Sequence, residues 1–159
     1  MDRTTDTRDP RMSDTTDLMR LTYFSRHDLP CDADGFNPAF TAIEQVAVPR
    51  NGDIGVTGFL ICARAWFAQV IEGPAASIEQ LYAEIEGDPR HHSLQVVEHI
   101  AAERRLFPDW HMAIGHASPQ AGMVFATLDF SEVEAPHGRQ PRDFHDLATD
   151  LAALKRLTD

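Results

Sequence analysis

The chain of 159 residues predicts an α+β fold: one mainly antiparallel sheet with two helices on one of its faces. Three features point to it. Strand-like runs recur at "LMRLTYFS", "IGVTGFLIC", "WFAQVIEG", "LQVVEHIA" and "WHMAIG". Two stretches of helical period interrupt them, one after the first run and one after the third. The hydrophobic fraction of 43% and charged fraction of 25% are those of an ordinary soluble domain with a core of its own.

Residues 1–16, "MDRTTDTRDPRMSDTT", hold no apolar anchor and read as a disordered tail. In the first strand Met19, Leu21 and Tyr23 alternate with Arg20 and Thr22. The loop "CDADGFNP" follows, and Asn37 is a good N-cap with Pro38 at the first helical position. Phe40, Ile43 and Val46/Ala47 continue at helical spacing, and Pro49 is expected to limit that helix. The next two strands are separated only by "ARA", which predicts a hairpin. Ile78, Leu81, Tyr82 and Ile85 mark an amphipathic second helix, stopped at Gly87. After the polar turn "DPRHHS" come a fourth strand and, at "WHMAIG", a fifth. The order β-α-β-β-α-β-β is ferredoxin-like. Beyond His116 the pattern weakens, and "PQAGMVFATLDF" is ambiguous. Phe144, Leu147, Leu151 and Leu154 predict a C-terminal helix lying outside the sheet domain. The expected organisation is a tail (1–16), a sheet domain (17–115) and a helical extension (116–159).

The net charge of −11 and pI near 5.0 oppose direct binding to nucleic acid, whose phosphates call for clustered Lys and Arg. They equally disfavour anionic membranes. Only Cys31 and Cys62 occur, one in a predicted loop and one in a predicted strand, which fits reduced thiols rather than a disulfide framework. No apolar run approaches the roughly 20 residues of a membrane span, and the polar N-terminus lacks a signal core. A cytoplasmic protein is expected.

The third strand carries a carboxamide, Gln69, in an otherwise apolar run. Burying an amide without partners costs roughly 2–7 kcal/mol. By alternation Gln69 shares a face with Phe67 and Ile71, and Tyr23 shares one with Met19 and Leu21. If both faces lie under the helices, Gln69 can bridge the Tyr23 hydroxyl and a heteroatom of a bound ring. Asn51 adds a second carboxamide just before the strand expected from Ile54. Such a pair suits the imide edge of a flavin, with its alternating donors and acceptors. Taken singly, each has an ordinary explanation: an edge glutamine, a core tyrosine with its hydroxyl at the rim, and an Asn-Gly turn.

Together, "LTYFS", "RN…GVTGFLI", "WFAQVIEG", "DPRHHS" and "FPDWHMAIG" resemble the BLUF family, blue-light sensors that use FAD, over Leu18 to Gly115. Eighteen residues separate Asn51 from Gln69 and forty-one separate Gln69 from Trp110, as in the family's spacing. The resemblance implies a ferredoxin-like fold with the flavin ring held between the two helices. It makes Tyr23 the photochemical electron and proton donor and Gln69 the amide between Tyr23 and the flavin. Asn51 would bind the ring's C4=O/N3 edge. Trp110 and Met112 match the W-x-M pair of the last strand, one of which lies near Gln69 in each signalling state. Asp88, Arg90 and His91 match positions beside the pyrimidine side and ribityl chain. Three departures stand out: a longer segment through "CDADGFNPA", Pro49 within the first helix, and Ala65 where the hairpin usually has glycine. None removes a side chain expected at the ring.

The resemblance implies a photoreceptor rather than an enzyme, with FAD bound non-covalently. Light would rearrange the hydrogen bonds among Tyr23, Gln69 and the flavin, and the signal would pass to a separate downstream protein. The segment after His116 is the natural relay or contact of a homo-oligomer. The rival reading on the same architecture is an acylphosphatase-like hydrolase using Arg26 and Asn51, which leaves Gln69, Trp110 and Met112 unexplained. A metal site at His91-His92 lacks a third ligand of suitable spacing. A further reading is a non-photoactive interaction domain that has lost flavin, which a visible absorption spectrum distinguishes.

Overall fold

In the computed structural model, which describes residues 17–158, the elements run β1 (Leu18–Arg26), α1 (Pro38–Asp53), β2 (Thr57–Cys62), β3 (Trp66–Pro74), α2 (Ala75–Glu86), β4 (His92–Ala101), β5 (Ile114–His116), α3 (Pro119–Thr127) and α4 (Pro141–Thr158). The expected tail, 1–16, lies outside the described residues. The strands form one sheet in the order β4-β1-β3-β2-β5. β1 pairs antiparallel with β3 and β4, and β2 pairs antiparallel with β3. β5 runs parallel to β2, the one parallel pair among them.

β3 is central and buried along nearly its whole length. Alternation along β1, β2 and β3 sorts their side chains into two cores. Leu21, Tyr23, Leu60, Phe67 and Ile71 meet Phe40 and Ala47 of α1 and Ile78 and Leu81 of α2. Phe24, Phe59, Ile61, Ala68 and Val70 point the other way, against Phe125 of α3 and Phe144, Leu147 and Leu151 of α4. The C-terminal helix is therefore not outside the sheet domain. Its apolar stripe covers the second face of the sheet, which would otherwise expose Phe24, Phe59 and Val70. The ambiguous "PQAGMVFATLDF" forms α3, capped by Ser118, whose hydroxyl accepts from the Ala121 N–H at 3.1 Å. Gly115 of β5 makes this layer close: a Cβ there would lie 2.9 Å from Phe59 Cζ and 3.2 Å from Leu151 Cβ.

Three expected boundaries move. α1 starts as read, with Asn37 Oδ1 accepting from Ala39 N–H at 2.8 Å, but it continues through Pro49 to Asp53. Proline in a helix interior removes one hydrogen bond and costs about 3 kcal/mol; buried Phe40, Ala47 and Asn51 anchor the helix on both sides of it. Asn51 thus belongs to the last helical turn, and β2 begins at Thr57 rather than near Ile54. The fifth strand is shorter than "WHMAIG": only Ile114–His116 is strand, so Trp110 and Met112 precede it. Cys31 and Cys62 are both free thiols. No helix among the described residues is long and apolar enough to cross a membrane.

The connection from β4 to β5 is tied down by a buried carboxylate. Glu72 of β3 accepts from Arg20 Nε at 2.9 Å and from the backbone N–H groups of Leu106 and Phe107 at 2.8 and 3.0 Å. Arg105 then donates to Thr57 Oγ1, to the Glu72 carbonyl and to the Gly55 carbonyl. Removing the carboxylate takes the acceptor from Arg20 Nε and from two backbone N–H groups beside the core, and leaves Arg20 its bond to the Arg104 carbonyl. Glu72→Ala is expected to lower stability by about 3–5 kcal/mol, a fall of about 10 °C in Tm. Glu72→Gln, which keeps an acceptor oxygen, loses less; thermal unfolding followed by circular dichroism measures both.

Candidate functional site

Tyr23 and Gln69 are cross-strand partners in the β1–β3 register, on the face covered by α1 and α2. Side chains directly opposite one another have Cβ atoms about 4.5–5.5 Å apart, so the strand pairing itself brings phenol and amide together. Tyr23 Oη donates to Gln69 Oε1 at 2.6 Å. Tyr23 is 3% exposed and Gln69 4%. Burial pushes the Tyr23 phenol well above the usual tyrosine range, helped by Cys62, Tyr82 and Asp88 nearby, so the hydroxyl keeps its proton. On the other side, Gln69 Nε2 donates to Met112 Sδ at 3.5 Å. Gln69 therefore links a phenol on β1 to a thioether on the connection leading into β5.

These groups open onto a cavity between α1 and α2, walled by Ile43, Val46, Ala47 and Arg50 of α1, Leu60 of β2, Phe67 of β3, and Glu84 and Ile85 of α2. Tyr23, Gln69, Asp88, Arg90 and His91 line the same cavity. Arg50 Nη1 lies 3.7 Å from Glu84 Oε1, an ion pair spanning the two helices. Arg90 donates to Asp88 Oδ2 at 2.6 Å, and that bond holds the Asp88 carboxyl below its ordinary range. His91 Nε2 donates to the Ile85 carbonyl at 2.7 Å, which leaves Nδ1 to accept from the Ser25 hydroxyl at 2.7 Å.

Asn51 is fully buried, and its carboxamide is already engaged. Nδ2 donates to the His111 carbonyl at 2.8 Å and Oδ1 accepts from Arg50 Nε at 3.2 Å. Both carboxamides thus grip the same connection, Gln69 at Met112 and Asn51 at His111. Trp110 is on the opposite side of the sheet, packed on the core under α4 with its ring 6.1 Å from Phe59. Of the W-x-M pair, only Met112 touches Gln69.

The polar inventory favours an acceptor-rich guest. Gln69 Nε2 and Asn51 Nδ2 each carry two hydrogens, and each uses one on a partner among the described residues. A buried N–H without an acceptor costs about 1–3 kcal/mol. Asn51 does not line the cavity, so of the two carboxamides only Gln69 faces it; a flat heterocycle with a carbonyl or imine acceptor fits that donor, and Ile43, Ala47, Leu60, Phe67 and Ile85 fit its faces. Sequence reasoning missed Ser25, Arg50 and the residues on the α1 and α2 walls. Ser25 was readable, two positions after Tyr23 on one face of β1; Arg50 became visible only once α1 ran past Pro49.

Comparison with known proteins agrees. The profile of BLUF, described as sensors of blue-light using FAD, matches residues 18–113. Photoactivated adenylate cyclase subunit beta of Euglena gracilis is 39% identical over 105 residues, 65% of this chain but 12% of that protein. The match thus spans a small part of that relative. Among solved structures, the dark state of BlrB, a BLUF protein, superposes with a TM-score of 0.69 at 30% identity, over 88% of this chain and 98% of BlrB. BlrP1 of Klebsiella pneumoniae, solved with FMN and cyclic diGMP, gives 0.60 at 28% identity, over 87% of this chain and 36% of BlrP1. With sequence profile, fold and buried phenol–amide pair in accord, the chain belongs to the BLUF family of blue-light sensors.

Proposed function

We propose that this chain senses blue light through FAD held non-covalently in the cavity between α1 and α2, and that the light signal is a change in the hydrogen bonds of Gln69. The observation that carries this reading is the buried bond from Tyr23 Oη to Gln69 Oε1, set in the wall of that cavity. When bound, the flavin supplies blue-light absorption and the oxidising power of its excited state. Everything else is the work of the chain. The apolar side chains Ile43 and Ala47 of α1 and Ile85 of α2 would flank the ring, with the Arg50–Glu84 ion pair at the rim between the helices. Gln69 would offer an N–H donor to its polar edge, Arg90, held by Asp88, and His91 would hold it from the turn after α2, and Asn51 would act from behind the wall by fixing the His111 carbonyl.

Tyr23 is the electron and proton donor in this reading. Its proton points along a 2.6 Å bond at Gln69 Oε1, so oxidation of the phenol releases the proton onto the amide without any atom moving far. Return of both the proton and the electron restores Tyr23 and leaves Gln69 free to settle rotated or tautomerised. Rotation about the amide swaps its oxygen and nitrogen, which turns a donor towards Tyr23 and an acceptor towards Met112. The thioether sulfur is a weak acceptor and not a donor, so its bond to Gln69 is lost and the connection into β5 feels the change.

Photoactivated adenylate cyclases and BlrP1 carry a stretch like this one within longer proteins. For this chain we infer a separate downstream signalling protein and a homo-oligomer, with residues 116–159 as relay or contact. The charge of −11 turns the partner search away from nucleic acid.

Purified protein is expected to be yellow, to release FAD rather than FMN on denaturation and chromatography, and to shift its flavin bands reversibly to the red under blue light. A colourless protein after supply of FAD overturns the reading. Tyr23→Phe should keep flavin and lose the normal photocycle, and Gln69→Leu should lose the red shift; transient absorption reads both. The raised phenol also sets an alkaline limit. Below the ordinary tyrosine value near pH 10, Tyr23 contributes its full stability, and the contribution falls as pH rises from there towards the higher folded value. Tm measured between pH 8 and 11 should therefore fall less in Tyr23→Phe than in the wild type.

A further inference from the structure

Trp110 and Met112 stand two positions apart, and in a regular strand they would share a face. They do not: Met112 joins the core under α1 and α2, and Trp110 the core under α4. The backbone explains the split. Leu60 N–H donates to the Ala113 carbonyl at 2.8 Å, and Gly58 N–H, two residues back on β2, donates to the Trp110 carbonyl at 3.1 Å. Two residues of β2 are thus matched by three on the partner segment, the count of a bulge, which re-aims one side chain. The extra residue is held by both flanks: Asn51 Nδ2 takes the His111 carbonyl, and His111 Nδ1 meets the Val56 carbonyl at 3.0 Å.

The bulge allows the indole to face α4; a contact from α4 holds it there. Arg156, in the last turns of that helix, places its guanidinium carbon 4.5 Å from the centroid of the Trp110 ring. The same guanidinium reaches Asp109 Oδ2 at 3.3 Å. A cation over an indole face is attracted by the ring's quadrupole, and the carboxylate next to the indole aims the cation. We propose that Arg156 is a positioning residue of the light switch: it holds Trp110 on the helix side of the bulge and so keeps Met112 as the neighbour of Gln69. The inference rests on the reading of Gln69 as the switching amide. It adds a residue of α4 whose contact changes when Gln69 lets go of Met112, which makes the end of α4 an outlet of the signal.

The test uses the full chain with bound flavin and the variants Arg156→Gln, Arg156→Lys and Asp109→Asn. The first readout is taken in the dark: Trp110 emission, obtained by difference against Trp110→Phe in each background, with buried Trp66 as the constant contribution. An indole that moves to the flavin side is quenched. Arg156→Gln should raise the quenched population about two- to five-fold, the range of an exposed cation–π contact. Arg156→Lys should restore most of the emission, and Asp109→Asn should fall between. The second readout is the lifetime of the red-shifted state, which should change in Arg156→Gln and recover in Arg156→Lys. Wild-type emission and lifetime in Arg156→Gln overturn the proposal, as does a change that lysine does not rescue. If the wild type shows no red shift at all, the reading of Gln69 fails, while the dark emission series still decides whether Arg156 places Trp110.

Discussion

A carboxamide buried in the middle of a sheet must find partners on its own face, and that requirement organises this molecule. Gln69 meets it with one neighbour on each side: the Tyr23 hydroxyl at 2.6 Å and the Met112 sulfur at 3.5 Å. The two bonds are unequal. The first is short and made by a phenol held in its protonated form, whereas sulfur accepts weakly. An amide so placed is strongly tied to the electron donor and loosely tied to the segment that leads out of the site. That asymmetry lets a local change in bonding be passed on.

Much of this was readable before any coordinates. Alternation in β1 and β3 was enough to put Tyr23 and Gln69 on inward faces; their cross-strand pairing comes from the ferredoxin-like order, which sets β1 beside β3 across the α1 crossover. Asp88, Arg90 and His91 fell in one short turn, and that turn does line the cavity. Asn51 was found but set between helix and strand rather than in the last turn of α1, because Pro49 was read as limiting the helix. A proline four residues from a helix end forfeits one backbone bond there, and the tertiary anchoring of Phe40 and Ala47 outweighs it.

The last strand and the second face were hidden for different reasons. "WHMAIG" has the composition of a strand, and no local signal in it marks the extra residue; the bulge is defined by β2, fifty residues earlier. The C-terminal helix was found, but its destination was not. Nothing in its own period says which surface its stripe will cover. The clue lay in the strands: Trp66, Phe67, Ala68, Val70 and Ile71 put apolar side chains on both faces of β3, and a strand buried on both faces needs layers on both. The ion pair of Arg20 with Glu72 and the hydrogen bonds of Arg105 beside it were equally invisible, since Arg20, Glu72 and Arg105 are far apart along the chain.

Gly115 decides how faithfully the two sides of the sheet are geared together. With only a hydrogen where other residues carry carbon, β5 and α4 sit nearer than a usual strand–helix layer, against Phe59 and Leu151. Two bodies in such contact have no play between them: a displacement of a few tenths of an ångström on one side is delivered to the other instead of being absorbed by rearranging side chains. A bulkier residue at this point would act as a shim, prising the helix away and leaving the photosensitive half intact but mechanically disengaged.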